Sequence, residues 1–216
     1  MNATEMIAET RQWVKDQLLQ EKTGHDWYHI RRVTDQAIEI ARIEGADELI
    51  VTLAALTHDL IDDKVVESEA EGLKNVLDWL IKIGTTEEQR QHIVAIITTM
   101  SYKGGTNQPV TTLEAQVVQD ADRLDALGAI GVARTFVYAG SKGDPMYDPT
   151  LSVRETLTLD EYRNGQSSAI GHFYEKLLKL KDLMNTEEGK KRAHERHQFL
   201  KNFLDQFLLE WGQDSK

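Results

Sequence analysis

The sequence predicts an all-α protein, a single-domain helical bundle over residues 1–216. Apolar residues recur at helical spacing along most of the chain, and no stretch of useful length alternates as a strand would. All three prolines, Pro109, Pro145 and Pro149, fall outside the predicted helices. We expect the core to lie at about 20–130, with C-terminal helices at about 166–211 that complete a site.

The predicted helices follow from these apolar stripes, and the first of them carries Met6, Val14 and Leu18. Further helices are predicted over about 27–43, 49–60, 71–83, 87–100, 112–137, 168–184 and 187–211. The one at 49–60 is apolar almost all round, which is typical of a buried central helix. The longest irregular stretch, 139–165, is predicted to fold over a site as a lid.

Composition excludes several classes of function. A net charge of −11 disfavours duplex nucleic acid, because binding to it depends on many Lys and Arg contacts to phosphate. With 0 cysteines the chain has no disulfide, thiolate metal site or cysteine nucleophile. No apolar run approaches the roughly 20 residues that span a bilayer, and the first residues do not resemble a secretory signal. We therefore expect a cytoplasmic protein that does not bind membranes.

Polar residues with metal-binding groups occur in three of the predicted helices. His58 and Asp59 are adjacent in the predicted buried helix, where such groups are costly unless they are paired or bind a metal. His29 lies upstream and Asp122 downstream, each in an apolar context. Imidazole and carboxylate ligands suit divalent Mn, Fe, Co, Ni or Zn. A buried His–Asp hydrogen bond without metal is the alternative for the dipeptide alone.

Four strings extend this pattern: GHDWYHIRRV, LTHDLIDDK, QDADRLDALGAIGVAR and GHFYEKLLKLKDLMNT. Together they resemble the HD superfamily of metal-dependent phosphohydrolases, in particular stand-alone bacterial hydrolases of the YpgQ/YedJ type. The resemblance covers roughly residues 20–210. It implies an HD-type all-α fold, hydrolysis of phosphate esters or anhydrides, and one metal ion held by His29, His58, Asp59 and Asp122.

A second acidic pair, Asp62 and Asp63, follows the His–Asp dipeptide. If the helix continues, each lies four residues beyond His58 or Asp59 and shares their face. The string HDLIDD also resembles the HDxxED segment of HD hydrolases that act on guanosine tetraphosphate, where the acidic pair is thought to orient the attacking water. We therefore predict Asp62 and Asp63 as catalytic, although Asp62 is shorter than the Glu of that pattern. A solvated helix end is the alternative.

Cationic side chains near the matching strings are candidates for binding substrate phosphate. A solvated surface role is the alternative for each. His25 could instead only flank the site, and Arg123 could pair with an acid. His172, Lys176 and Lys179 have the spacing of one helical face. The predicted substrate-binding residues are His25, Lys64, Lys103, Arg123, His172 and Lys176.

The preferred function is hydrolysis of nucleoside or deoxynucleoside triphosphates to monophosphate and pyrophosphate. A nucleotide monophosphatase or a guanosine tetraphosphate hydrolase is the enzymatic alternative. A metal- and nucleotide-binding sensor without turnover and a helical scaffold without a site are the alternatives outside enzymes. Mn²⁺ is the expected ion, with Mg, Fe, Co, Ni and Zn as alternatives. His92 is interpreted as a surface residue, not a second metal site, and the chain allows a homodimer.

Overall fold

The computed structural model describes residues 1–19, 24–62, 66, 68–100, 109–154 and 167–212. The chain divides into two compact units, Met1–Asp122 and Arg123–Lys216. In the described ranges every regular element is helical, which confirms the all-α prediction. None of the helices found there has the length and apolarity needed to cross a bilayer.

Six helices build the first unit, and the last of them runs three residues beyond its end. Their bounds are α1 Ala3–Gln17, α2 Trp27–Glu44, α3 Glu48–Thr57, α4 Glu69–Lys82, α5 Glu87–Thr99 and α6 Leu113–Asp125.

Helix α3 is the centre of the first unit. Every residue from Ile50 to Thr57 is buried, and α1, α2 and α5 all pack against this helix. Asp47 begins α3 by accepting hydrogen bonds from the backbone N–H groups of Leu49 and Ile50. The sequence-based interpretation of this segment as the buried central helix is confirmed.

The end of α3 differs from the prediction. The α-helix stops at Thr57, and residues His58–Ile61 form a turn of 3₁₀ helix. Asp62 then has an extended backbone, with φ −74° and ψ 135°. The prediction that Asp62 shares a helical face with His58 is therefore wrong, because no helix continues to that position.

Helix α4 approaches the 3₁₀ turn closely at Gly72. A Cβ atom at this position would overlap the carbonyl oxygen of Leu60 and lie 3.1 Å from Cα of Ile61. The missing side chain lets the backbone of α4 support the turn that carries His58 and Asp59.

The second unit contains α7 (Gly128–Lys142), α8 (Ala169–His172) and α9 (Glu187–Glu210). The prediction of a single helix over 112–137 is wrong, because the helix is interrupted between α6 and α7. Gly128 has φ +68°, a conformation that glycine adopts without strain and other residues rarely do. Helix α7 also runs to Lys142, so the irregular stretch begins later than predicted. Residues 155–165 lie outside the described part, and the lid stays a prediction.

The predicted helix over 168–184 is not a regular α-helix. After α8 the chain forms a π-helical turn at Phe173–Leu177, a short α-helical turn at Leu178–Leu180 and a 3₁₀ turn at Lys181–Leu183. The π-helical turn changes the angle between successive side chains. The α-helical spacing of His172, Lys176 and Lys179 therefore no longer implies that they lie on one face.

The π-helical turn contains a buried carboxylate, Glu175, which pairs with the partly exposed Arg154. Arg154 donates from Nε to Oε1 of Glu175 at 2.7 Å and from Nη2 to Oε2 at 2.9 Å. The hydroxyl of Ser167 donates to Oε2 at 3.2 Å. Burial would raise the pKa of Glu175, but Arg154 lowers that pKa below its usual value. The carboxylate is therefore ionised and satisfied within the second unit.

Candidate metal centre

The start of α2 positions His29. Asp26 caps this helix, and its Oδ1 accepts a hydrogen bond from the backbone N–H of His29 at 2.8 Å. His29 is the third residue of the helix and is fully buried. The cap fixes where the helix begins and therefore which way the imidazole points.

The 3₁₀ turn after α3 positions His58 and Asp59, which are both buried. Nδ1 of His58 lies 2.8 Å from the carbonyl oxygen of Ala55, to which it donates. In the neutral ring this contact leaves the lone pair on Nε2, the atom that faces the carboxylates. A backbone carbonyl that fixes the tautomer of a histidine is a common partner at metal sites.

Asp122 lies near the end of α6. The neighbouring residues Val118, Ala121 and Leu124 are buried and anchor this helix. The side chain of Asp122 is 36% exposed, whereas those of His29, His58 and Asp59 are 1%, 3% and 8% exposed. The cluster is therefore buried on most sides and opens to solvent at Asp122.

The side-chain donors of these four residues converge. Nε2 of His29 lies 3.3 Å from Oδ2 of Asp59 and 3.5 Å from Oδ1 of Asp122. Nε2 of His58 lies 3.2 Å from Oδ1 of Asp59 and 3.9 Å from Oδ1 of Asp122. Two ligands about 2.1 Å from one ion and about 90–110° apart are separated by about 3.0–3.4 Å. Among the described residues, His29, His58 and Asp122 form one group whose donor atoms could hold a metal ion, and His25, His29 and Asp59 form another. The two groups share His29, and their nitrogen and carboxylate donors suit a divalent ion.

The electrostatics of Asp59 also suit a cation. Burial alone would raise the pKa of this carboxyl group, but the positive charge that His58 and His25 carry when protonated outweighs burial and holds the pKa well below its usual value. A bound cation would supply positive charge at the same place. Asp59 is therefore ionised in the interior, where an isolated charge would be costly.

His25 joins the same cluster. Its Nδ1 lies 2.8 Å from Oδ2 of Asp59, and its ring meets the ring of His29 edge-on at 5.7 Å between centroids. The side chain is 16% exposed. His25 was predicted to bind substrate, and the contact with Asp59 was not foreseen, because it joins residues 34 positions apart.

The remaining predicted residues are distributed over the chain. Asp62 follows the 3₁₀ turn, and Asp63, Lys64 and Lys103 lie outside the described residues. Nη1 of Arg123 donates to the carbonyl oxygen of Leu183 within the second unit.

His172 ends α8 in the second unit, and Lys176 lies in the π-helical turn. Both side chains are half-buried. Nε2 of His92 lies 3.2 Å from Oγ1 of Thr112, and this residue belongs to none of the clusters that the described side chains form around a possible ion.

Two residues that support the site were missed by sequence reasoning. Asp26 had a signal, because an Asp just before an amphipathic helix is typical of an N-cap. Gly72 had only a weak signal, a glycine inside a helical pattern, which often has a packing reason.

Comparisons with known proteins agree with this architecture. The family model described as the HD domain matches residues 26–127. The chain is 39% identical over 208 residues to YpgQ of Bacillus subtilis, covering 95% of this chain and 94% of YpgQ.

Three solved structures are similar over nearly the whole chain. The crystal structure of YpgQ in complex with ADP has 38% identity and a TM-score of 0.79, and 97% of each chain is covered. An HD-superfamily hydrolase from Bacillus thuringiensis has 45% identity and a TM-score of 0.78, over 99% of this chain and 100% of that one. A protein from Lactobacillus plantarum has 38% identity and a TM-score of 0.88, with the same coverage. The chain therefore belongs to the HD-domain family, among the HD-superfamily hydrolases.

Proposed function

We propose that this protein is a metal-dependent phosphohydrolase that cleaves nucleoside or deoxynucleoside triphosphates to monophosphate and pyrophosphate. The convergence of His29, His58, Asp59 and Asp122 is the observation that carries the proposal, because their imidazole nitrogens and carboxylate oxygens face one another at 3.2–3.9 Å. The ADP complex of YpgQ supports a nucleotide as the ligand class.

The four residues would hold one divalent ion, for which Mn²⁺ is our first choice. A bound divalent ion supplies Lewis-acid stabilisation of phosphoryl oxygens and lowers the pKa of water. His29 and His58 contribute nitrogen donors, and Asp59 and Asp122 contribute carboxylates that offset the charge. The acidic surface, with a net charge of −11, makes a local cation necessary for binding a polyphosphate.

Access to the cluster favours one direction of approach. Three of the four side chains are buried, and Asp122 is the one that solvent reaches. The phosphates of a nucleotide would therefore enter past Asp122, while the buried histidines exclude bulk water from the other side. Such exclusion strengthens the electrostatic interactions inside the site.

The attacking water needs a group that orients it and accepts its proton. We assign this role to Asp62 and Asp63, and the neutralisation of charge on the phosphates to the predicted cations other than His25. These assignments stay predictions, as do a cytoplasmic location, a homodimer, and a single domain whose C-terminal helices complete the site. Direct attack by water needs no covalent enzyme intermediate.

Product analysis tests the proposal. Purified protein with added Mn²⁺ is incubated with ribonucleoside and deoxyribonucleoside triphosphates, monophosphates and guanosine tetraphosphate, next to the His58→Ala variant. We expect pyrophosphate from triphosphates, and neither turnover nor tight Mn²⁺ binding in the variant.

His92→Ala is the matched control, because it removes a half-buried histidine that contacts Thr112 and Glu114. Glu114 precedes Asp122 by eight residues on α6, which corresponds to about 12 Å. This variant should keep wild-type turnover.

Other outcomes would replace the proposal with a named alternative. Orthophosphate from monophosphates would indicate a nucleotide monophosphatase, and pyrophosphate from guanosine tetraphosphate alone would indicate an alarmone hydrolase. Tight nucleotide binding without any product would indicate a sensor.

A further inference from the structure

We propose that His25 is a positioning residue, which orients the carboxylate of Asp59 instead of binding substrate. The inference rests on the proposed function only in taking His29, His58 and Asp59 as metal ligands. It concerns the affinity for the ion, which can be measured without any substrate.

The contact between His25 and Asp59 has one consistent proton arrangement. Nδ1 of His25 lies 2.8 Å from Oδ2 of Asp59, within ordinary hydrogen-bond distance. An ionised carboxylate only accepts hydrogen bonds, so Nδ1 must carry the hydrogen and donate it. The bond therefore fixes the rotation of the Asp59 carboxylate about its last torsion angle.

With an ion bound by their Nε2 atoms, the other two histidines near Asp59 would not take this role. Nδ1 of His58 already donates to Ala55, so its Nε2 faces Asp59 Oδ1 at 3.2 Å as a lone pair. Nε2 of His29 faces both Asp59 and Asp122, as a ligand atom would. A histidine that gives its lone pair to a metal has no hydrogen to donate from that atom. The donor for Asp59 is therefore His25.

Local structure holds His25 in place. The residue precedes Asp26, whose side chain caps α2 at the backbone N–H of His29. The capped start of α2 thus positions both residues, His29 at the proposed metal site and His25 beside the carboxylate of Asp59. Edge-on packing of the two rings, with 81° between their planes, limits rotation of His25.

Carboxylates that bind metals are commonly held by hydrogen bonds from a second layer of residues. Loss of such a partner typically lowers metal affinity or activity about 10–100-fold. We expect a loss of this size in Mn²⁺ affinity when the donor is removed from His25.

Three substitutions of His25 distinguish a positioning role from direct metal ligation and from substrate binding. His25→Ala removes the donor, His25→Asn keeps an N–H group near the position of Nδ1, and His25→Gln moves it to the position of Nε2. Mn²⁺ affinity is measured by isothermal titration calorimetry without nucleotide, and kcat and KM are measured at saturating Mn²⁺. Circular dichroism melting without metal checks that each variant folds.

We expect His25→Ala and His25→Gln to weaken Mn²⁺ binding about 10–100-fold and His25→Asn to restore it to within a few-fold of wild type. KM for the nucleotide at saturating Mn²⁺ should remain unchanged. An equal loss of Mn²⁺ affinity in His25→Asn and His25→Ala would overturn the proposal in favour of His25 as a direct metal ligand. Unchanged Mn²⁺ affinity with a raised KM would overturn it in favour of a substrate contact.

The two proposals fail in different measurements. If wild-type protein binds Mn²⁺ but hydrolyses no nucleotide, the proposed function fails, while the affinity series still decides the role of His25. If turnover is observed and all three variants bind Mn²⁺ as wild type does, only the role of His25 fails.

Discussion

Two buried carboxylates, Asp59 in the first unit and Glu175 in the second, are held by different kinds of partner. Glu175 accepts hydrogen bonds from two guanidinium nitrogens of Arg154 and from the hydroxyl of Ser167. Asp59 is surrounded by histidines, of which only His25 is assigned as a donor. The first carboxylate has a complete set of fixed donors and needs no ion, whereas the second belongs to a group of residues that could hold one.

The largest expected effect concerns the structural carboxylate. Arg154→Met would leave Glu175 buried without its counter-charge, and we expect the free energy of unfolding to fall by about 3 kcal/mol. Urea unfolding at neutral pH measures the loss. The control is Arg11→Met, which removes an exposed pair with Asp35 at 3.4 Å and should cost at most about 1 kcal/mol. Similar losses in both variants would mean that Glu175 does not depend on its partner.

Binding of Mn²⁺ to the metal cluster should stabilise the folded protein against unfolding. Mn²⁺ at about 100 times its dissociation constant should raise the free energy of unfolding by about 2.7 kcal/mol. His58→Ala should lose this gain, and Arg154→Met should keep it, because Glu175 needs no ion. Thermal unfolding with Mn²⁺ and with a chelator measures the difference. An equal gain in His58→Ala would place the bound ion elsewhere.

The support of the 3₁₀ turn should affect both stability and metal binding. Gly72→Ala adds a Cβ against the backbone of Leu60 and Ile61, and we expect it to cost about 2 kcal/mol and to weaken Mn²⁺ binding. Gly140→Ala in α7 is the matched control, because an added Cβ there meets no atom within 4 Å. The control should leave Mn²⁺ affinity unchanged, and an unchanged affinity in Gly72→Ala as well would show that the turn tolerates displacement.

The smallest expected effect is the change with pH in the contribution of Glu175 to the free energy of unfolding. Its pKa is lower in the folded protein than its usual value of 4.5, so its ionised form contributes stability above that pH. The contribution is lost as the pH falls through the lowered pKa. The difference in unfolding free energy between wild type and Glu175→Gln should therefore shrink on acidification below 4.5. A difference that stays constant with pH would contradict the assignment of the lowered pKa to the folded state.

Much of the cluster was accessible from the sequence. Polar residues in apolar helices single out His29, His58, Asp59 and Asp122, and it is the HD resemblance of the strings around them that implies a metal set. The comparisons confirm that resemblance. Helical periodicity also predicted the all-α fold and the buried α3. Local patterns were sufficient for these features.

The remaining features depend on tertiary structure. Nothing in the sequence after Thr57 marks the change from α to 3₁₀ helix, because the apolar residues continue through Leu60 and Ile61. The break at Gly128 could be mistaken for a glycine tolerated inside a helix. The contact of His25 with Asp59 depends on how α2 packs against α3, which no short-range pattern contains.

The exposure of Asp122 has a consequence for kinetics. A cluster closed on all sides would release its ion only when the first unit opens, on the slow timescale of unfolding. Here one partly exposed carboxylate borders the solvent, so a path for an ion exists without unfolding. An ion held here could therefore enter and leave past Asp122 while the protein remains folded, and the strength of its bonds to the other ligands would set how long it stays.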